Sequence, residues 1–218
     1  MAQGVHFITE MFEKELAKYT GAKHAVAVDN CSNALFLALT YDGVKGKTIT
    51  IPSRTYPSVP CEIIHAGGIV QFAPVEGTTL RGAYHLEGSR VIDSALRFTS
   101  NMYEPGYFIC LSFTGTYKHL NLGKGGAILT GDYNSYVWFK RARFSGRREC
   151  SYHEDNLDCL GWNFYIMPEI ATRGLQLMQQ FYDIEGNPKE NEDKELPYPD
   201  LSKFSIYQKG MNISDKPT

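Results

Sequence analysis

The chain has 218 residues, of which 43% are hydrophobic and 21% charged, and its formal net charge is −2. This composition is typical of a globular protein with one or two domains and a buried core. The near-neutral charge argues against a general attraction to nucleic acid or membranes. No apolar run is long enough to span a membrane, and the N-terminus lacks the layout of a secretion signal. Five cysteines without regular spacing predict free thiols in a cytoplasmic protein.

The first third of the chain predicts a helix, a strand and a second helix. Phe7 to Tyr19 has apolar residues at helical spacing, and His24 to Asp29 is a short apolar run typical of a buried strand. Asn30 to Asn33 then leads into a helix from Ala34 to Tyr41. Asn and Ser are good N-caps, and the free N–H groups of such a turn can bind an anion. Capping alone would explain these residues equally well.

Three further short strands are predicted, at Thr48 to Pro52, Ile69 to Pro74 and Arg90 to Ala95. A helical segment from Ser58 to Gly68 separates the first two. Alternation of strands and helices indicates an α/β protein with a largely parallel sheet. Ligands bind such sheets at the carboxyl ends of the strands, which makes Asp93 a candidate functional residue. The alternative is that this carboxylate only caps the next element.

Two strand-like runs, Phe108 to Phe113 and Gly125 to Thr130, enclose a loop that contains Lys118. A lysine surrounded by an α/β core can have its pKa lowered by burial, which makes the amine nucleophilic toward aldehydes. Nearby hydroxyls such as that of Ser112 can bind a phosphate. The combination suggests a Schiff-base lysine for pyridoxal phosphate. The alternative is a solvated lysine on a surface hairpin.

The remaining segments are less informative. Val75 to Ser89 is polar, contains glycine and is too short for a full helix plus a strand with their loops. Helices are predicted from Tyr133 to Arg143 and from Pro168 to Phe181, the second with Pro and Glu in its first turn. Charged, turn-rich residues follow from Asp183 onward, and Leu201 to Lys209 is expected to dock as a last short element.

Two other groups of polar residues are candidate sites. Cys150, His153 and Cys159 are spaced C-x2-H-x5-C, which matches no standard zinc arrangement, so an ordinary polar loop is the favoured interpretation. Arg147 and Arg148 can bind an anionic substrate such as a nucleotide diphosphate, but a solvated basic loop is again favoured.

Five blocks follow one another between Phe12 and Phe181: FEKELAKYTGAKHAVAVDNCSNALFLAL, IPSRTYPSVPCEIIHAGG, VIDSA, LSFTGTYKHLNLGKGGAILT and GWNFYIMPEIATRG. Together they resemble the DegT/DnrJ/EryC1/StrS sugar aminotransferase family of fold-type I pyridoxal-phosphate enzymes. The resemblance implies a mostly parallel central sheet flanked by helices, with a much reduced C-terminal small domain. It also implies a shortened cofactor-binding domain over residues 1–181 and a charged linker with a small-domain remnant over 182–218.

The resemblance assigns the catalytic roles to two residues. Lys118 would form the Schiff base with pyridoxal 5'-phosphate and move the substrate proton, and Asp93 would pair with the protonated pyridine nitrogen. Tyr56 would stack on the cofactor ring. Lys124 is the competing lysine, but it lies against the glycines, where the family pattern usually has an acid, and Lys118 is preferred.

The remaining assignments concern the cofactor phosphate. Ser32 and Asn33 at a helix N-terminus, together with Ser112, would bind it through hydroxyl and backbone donors. Asn163 would reach the phosphate of a neighbouring subunit, so the resemblance implies a homodimer with shared sites.

The sequence departs from the family pattern at several positions. Cys31-Ser32 stands where the family has Gly-Thr, and Leu96 replaces a glutamine three residues after the acid. Ser112 lies one residue further from Lys118 than usual, and the segment from Asn163 to Met167 is also one residue longer. The chain is far shorter than typical members, and the shortened parts normally shape the substrate pocket.

The implied function is a cytoplasmic aminotransferase that moves an amino group from an amino acid, with glutamate as the expected donor, to a keto sugar that is nucleotide-linked. A decarboxylase, lyase or dehydratase that uses the same cofactor on a modified nucleotide or amino acid is an alternative, and so is a non-catalytic protein with this fold. No membrane, nucleic-acid or metal partner is expected.

Overall fold

The fold is taken from a computed structural model, which describes residues 6–74, 82–116, 118, 120–182 and 198–208. Six α-helices lie in the described residues: α1 (His6–Thr20), α2 (Cys31–Asp42), α3 (Ser58–His65), α4 (Tyr133–Ala142), α5 (Pro168–Tyr182) and α6 (Ser205–Gln208). Seven strands accompany them: β1 (His24–Val28), β2 (Thr48–Pro52), β3 (Ile69–Ala73), β4 (Tyr84–Leu86), β5 (Val91–Ser94), β6 (Phe108–Ser112) and β7 (Gly126–Thr130). A short 3₁₀ turn, Leu201–Lys203, precedes α6.

The central sheet has five strands in the order β1-β7-β6-β5-β4. Its pairings are mixed, because only β5 and β6 pair in parallel and the other three pairs are antiparallel. Three of its five strands, β1, β5 and β6, run in one direction, and β7 and β4 run in the opposite direction. The parallel pair β2-β3 is joined to the end of β4 by mutual backbone hydrogen bonds between Thr50 and Glu87. This antiparallel bridge gives β2 and β3 the direction of β1, so most of the described strands are parallel in direction.

Alternating side chains divide the core between the two faces of the sheet, as the period of a strand requires. On β6, Phe108 and Cys110 join one buried cluster with α2 and α3, whereas Ile109 and Leu111 join the other with α1 and α5. Helices therefore cover both faces. No helix in the described parts of the chain combines the length and apolar character that crossing a membrane requires.

Strand β4 is an element that the sequence pattern did not predict. Residues 75–81 lie outside the described part, but Tyr84–Leu86 form a short strand that pairs with β5. Three residues are too few for a visible alternation of apolar and polar positions, which is why the pattern missed this strand.

The C-terminal residues 198–208 pack beside β2 and α3. The N–H group of Leu201 donates to the carbonyl of Ser53 at 2.8 Å, and the guanidinium of Arg54 donates to the carbonyl of Tyr198 at 3.2 Å. The predicted short element thus contacts the residues that follow β2. The charged stretch over residues 183–197 lies outside the described residues, and the domain boundary at residue 181 stays a prediction.

Candidate active site

Lys118 lies in the connection between β6 and β7 and is 6% exposed. Its Nζ donates to the carbonyl of Ala95 and, at 3.1 Å, to that of Ser112. The competing Lys124 is different, because 67% of its side chain is exposed and its Nζ lies 4.0 Å from the Asp29 carboxylate. Only the first of these two lysines has the enclosed position expected of a nucleophilic amine. The flanking residues 117 and 119 lie outside the described part.

Asp93 lies near the carboxyl end of β5 and is 4% exposed. One carboxylate oxygen accepts the backbone N–H of Ala95 at 2.9 Å, and the other accepts the hydroxyl of Tyr84, also at 2.9 Å. Burial raises the pKa of Asp93 above its ordinary value, whereas these two hydrogen bonds and the nearby Lys118 oppose that rise. The carboxylate therefore depends on its donors to keep its charge.

Both residues line one open cavity of about 360 Å³, a volume within the range of small-molecule sites. The other predicted site residues that line it are Tyr56, Ser32 and Ser112. Leu96, at the position where the family pattern has a glutamine, is also part of the wall. Five of the seven predicted site residues are thus brought together.

The first turn of α2 forms another part of the wall. The Asn30 side chain caps the helix by accepting the N–H of Asn33 at 2.8 Å, and the hydroxyl of Ser32 lies 2.7 Å from that of Ser58 on α3. A helix start combines N–H donors with the positive end of the helix dipole, which favours an anion. Gly126 permits the close approach of β7, since a Cβ there would lie 2.6 Å from the Asn30 carbonyl carbon.

Two predicted residues lie elsewhere. Asn33 uses its side-chain amide to donate to Asp29 at 2.7 Å and is absent from the residues that line the cavity. Asn163 is exposed, also outside the cavity lining, and its backbone bridges to Phe144. An exposed position is what a residue directed at a neighbouring subunit requires, and this role stays a prediction.

Tyr56 lies at the rim of the cavity and is 54% exposed. Its ring meets that of Tyr198 edge to face, with centroids 5.8 Å apart and an interplanar angle of 75°. Tyr198 itself lines the cavity. The C-terminal segment, which the sequence pattern connected with no site, therefore forms part of the wall.

Tyr84 and Thr55 are further residues beside the cavity that sequence reasoning missed. The hydroxyl of Tyr84 bonds both Asp93 and the hydroxyl of Thr55, which is 2% exposed. A tyrosine followed by His and Leu carries a weak strand signal, but nothing in the pattern connects it with Asp93.

The two arginines that were a further candidate site, Arg147 and Arg148, have partners in their own loop. Arg147 and Arg148 both lie within 3.4 Å of the Asp155 carboxylate, and Arg147 also lies over the ring of Tyr152, 3.6 Å from its centroid. These arginines pair within their own loop. Among residues 6–74, 82–116, 118, 120–182 and 198–208, no three His, Cys, Asp or Glu side chains are grouped to bind a metal.

Residues 7–85 match the model of the DegT/DnrJ/EryC1/StrS aminotransferase family. The resemblance to this family is confirmed. The spore coat polysaccharide biosynthesis protein SpsC of Bacillus subtilis is 44% identical over 72 residues, which are 33% of this chain and 18% of that protein. GDP-perosamine synthase of Vibrio cholerae is 34% identical over 73 residues, which are 33% of this chain and 20% of that protein. The matched segment thus spans about a fifth of these relatives.

Solved structures extend the likeness to the whole fold. PseC of Helicobacter pylori, an aminotransferase involved in the biosynthesis of pseudoaminic acid, has a TM-score of 0.73 at 14% identity, covering 99% of this chain and 82% of PseC. A DegT DnrJ EryC1 StrS aminotransferase from Brucella abortus has a TM-score of 0.66 at 19% identity, covering 81% of this chain and 59% of that one. The predicted fold is confirmed, since it is the α/β fold of these aminotransferase structures.

Proposed function

We propose that this protein is a pyridoxal 5'-phosphate-dependent aminotransferase that moves an amino group from an amino acid, with glutamate as donor, to a nucleotide-linked keto sugar. The observation that carries the proposal is the single cavity that holds a buried lysine, a buried carboxylate and a helix N-terminus with hydroxyls. These groups match the aldehyde, the pyridine nitrogen and the phosphate of the cofactor.

The residues present fit the cofactor. The amine of Lys118 donates to the backbone carbonyls of Ala95 and Ser112, and the residue lines the cavity where the cofactor aldehyde would lie. Asp93 lines the same cavity as an acceptor for a ring N–H. Ser32 and Ser112 supply hydroxyls, and α2 supplies the helix start.

When bound, pyridoxal 5'-phosphate supplies an electron sink for the bond at the substrate's Cα. Lys118 would bind it covalently and then take the Cα proton through the freed amine. Asp93 would hold the pyridine nitrogen in its protonated form, and Tyr56 would cover one face of the ring. Tyr198 and Leu96, which also line the cavity, would help to exclude water from it.

The substrate class is proposed from the relatives. GDP-perosamine synthase and PseC are named for the biosynthesis of amino sugars, and SpsC for a coat polysaccharide. The GDP in the name of the perosamine synthase supports an acceptor sugar that is linked to a nucleotide. We further propose a homodimer, in which Asn163 reaches the partner's phosphate site, and a cytoplasmic location, in line with five free cysteines.

An absorbance spectrum of the purified protein with added cofactor tests the assignment. We expect a band near the visible edge that disappears with borohydride and is absent in Lys118→Ala. Lys124→Ala is the matched control, because its side chain is largely exposed and should leave the band unchanged. A wild-type protein that stays colourless with excess cofactor would contradict the proposal.

A second measurement separates aminotransfer from other reactions of the same cofactor. Glutamate added to the loaded protein should give 2-oxoglutarate and the pyridoxamine form of the cofactor. Release of carbon dioxide or ammonia without that half-reaction would instead support a decarboxylase or lyase.

The dimer is tested by Asn163→Ala, which should lower cofactor retention. Asn156→Ala is the control, since this residue lies in the loop beside Asp158 and away from the cavity lining. Equal retention in the two variants, or a monomeric wild-type protein that retains the cofactor, would remove the assignment.

A further inference from the structure

Tyr84 lies opposite Asp93 in the antiparallel pair of β4 and β5. Directly opposed residues of such a pair place their side chains on the same face of the sheet. The phenol of Tyr84 is therefore beside the carboxylate, and it donates to Oδ2 at 2.9 Å. This contact comes from a strand that the sequence pattern did not reveal.

The direction of the hydrogen bonds follows from counting protons. Each hydroxyl has one, and that of Tyr84 is donated to Asp93, so the bond between Tyr84 and Thr55 must be donated by Thr55. Thr55 is 2% exposed. The result is a chain of two hydroxyls whose protons both point toward the carboxylate, and such a chain stabilises an anion.

The carboxylate needs that support. Burial raises the pKa of Asp93, and a neutral Asp93 could not hold a protonated pyridine. Burial, and then the charge of Asp93, also raise the pKa of Tyr84 well above its ordinary value, so the phenol keeps its proton and stays a donor. Leu96, three residues after Asp93, offers no hydrogen bond, whereas the N–H of Ala95 and the phenol each serve one carboxylate oxygen.

We propose that Tyr84, itself oriented by Thr55, is a positioning residue that keeps Asp93 anionic and directed at the pyridine nitrogen of the cofactor. The proposal rests on the function proposed above. It assigns to β4 a role that the sequence motifs do not contain, and it predicts a pH-dependent defect in cofactor binding when the phenol is removed.

The test compares cofactor binding to the apoproteins of the wild type, Tyr84→Phe and Thr55→Val. A hydrogen bond to a charged group changes a binding constant by about 10- to 100-fold. Tyr84→Phe should therefore raise the dissociation constant of the cofactor by about that factor. Thr55→Val should act in the same direction by less. Tyr103→Phe is the control, because its hydroxyl donates to the carbonyl of Tyr107, outside the cavity lining.

The pH profile of the dissociation constant distinguishes positioning from general damage. Binding requires anionic Asp93, so affinity falls as the pH drops through its pKa. Loss of the phenol raises that pKa further, and the fall in Tyr84→Phe should begin at higher pH than in the wild type. A merely structural role would weaken binding equally at every pH. If Tyr84→Phe does not fold, Thr55→Val carries the same test.

Two results overturn the proposal in distinguishable ways. A wild type that binds cofactor, with a Tyr84→Phe variant whose affinity and pH profile lie within about twofold of it, removes the role of Tyr84 and leaves the proposed function intact. A wild type that binds no cofactor removes both.

Discussion

Replacing Arg143 with methionine tests the buried charge network that supports the Asn163 segment. Arg143 is fully buried, and its guanidinium donates to the Glu13 carboxylate, to the carbonyl of Ala27 and, at 2.9 Å, to the carboxylate of Glu149. Its own carbonyl accepts an N–H from the residue that follows Asn163. The arginine thus joins α1, β1 and the late segment.

The expected cost follows from what the substitution leaves behind. Methionine roughly replaces the volume of Arg143 but leaves the Glu13 carboxylate, whose side chain is 3% exposed, with Lys140 at 3.2 Å as its remaining cation among the contacts described. Removing one partner of a buried ion pair costs about 3–5 kcal/mol. We expect Arg143→Met to lose free energy of unfolding in that range at pH 7.

Urea unfolding provides the measurement, with Arg148→Met as the control. Arg148 also pairs with a carboxylate, but 48% of its side chain is exposed, so its loss should cost less than about 1 kcal/mol. If both variants lose the same free energy of unfolding, the buried network does not stabilise the fold more than an exposed ion pair does.

The network also makes a prediction about pH. Burial alone would raise the pKa of Glu149, but Arg143 and Lys140 outweigh burial and lower it. A carboxyl whose pKa is lowered in the folded state stabilises the fold above its unfolded pKa, and this contribution is lost as the pH falls through the lower folded value. When the pH is lowered from 7 into the acid range, Arg143→Met should therefore lose less free energy of unfolding than the wild type. The same pH dependence of this free energy in both proteins would contradict the prediction.

Two shorter predictions concern the cavity. Gly126→Ala would place a methyl group 2.6 Å from the Asn30 carbonyl carbon and displace the start of α2. Cofactor affinity, measured by absorbance titration, should therefore fall at least about tenfold. Unchanged affinity would show that the close approach of β7 to α2 is not required. Burial raises the pKa of the thiols of Cys31 and Cys110 well above the ordinary value, so both should react with iodoacetamide last when the native protein is alkylated near pH 7. Mass spectrometry of the labelled sites checks this, and the prediction fails if these two react as fast as Cys61, Cys150 and Cys159.

The sequence predicted most helices and strands because their apolar periodicity is strong. Continuous apolar runs predict strand β6 and the strand that contains Asp93, and the position of the nearby glycines favours Lys118 over Lys124. The structure now adds a physical reason, since only Lys118 is enclosed. Resemblance to a family assigned the roles, but burial distinguishes the two lysines.

What the sequence could not predict depends on long-range packing. Glu13 lies between the apolar positions of its helix, yet it is buried against Arg143, 130 residues away. Tyr198 follows a charged stretch and still lines the cavity. Periodicity reports which face of an element is apolar, and it carries no information on which distant side chain meets a single polar residue on that face.

Strand direction explains why the candidate site combines predictable and unpredictable residues. The strands β1, β5 and β6 end at one edge of the sheet, so Asp93 and Ser112 lie there, as the rule for open α/β sheets predicts. The reversed strands β4 and β7 begin at that same edge, and their first residues are Tyr84 and Gly126.

The rule for open α/β sheets concerns residues at the carboxyl ends of strands and makes no prediction for residues at strand starts. Tyr84 and Gly126 are therefore placed at the site by the reversal of their strands, which only the pairing register reveals. The hydrogen bond of Tyr84 to Asp93 and the approach of β7 to α2 both depend on this reversal. They are therefore two consequences of one topological feature. Weaker cofactor binding in both Tyr84→Phe and Gly126→Ala, with unchanged binding in Tyr103→Phe, is the joint result that this topology requires.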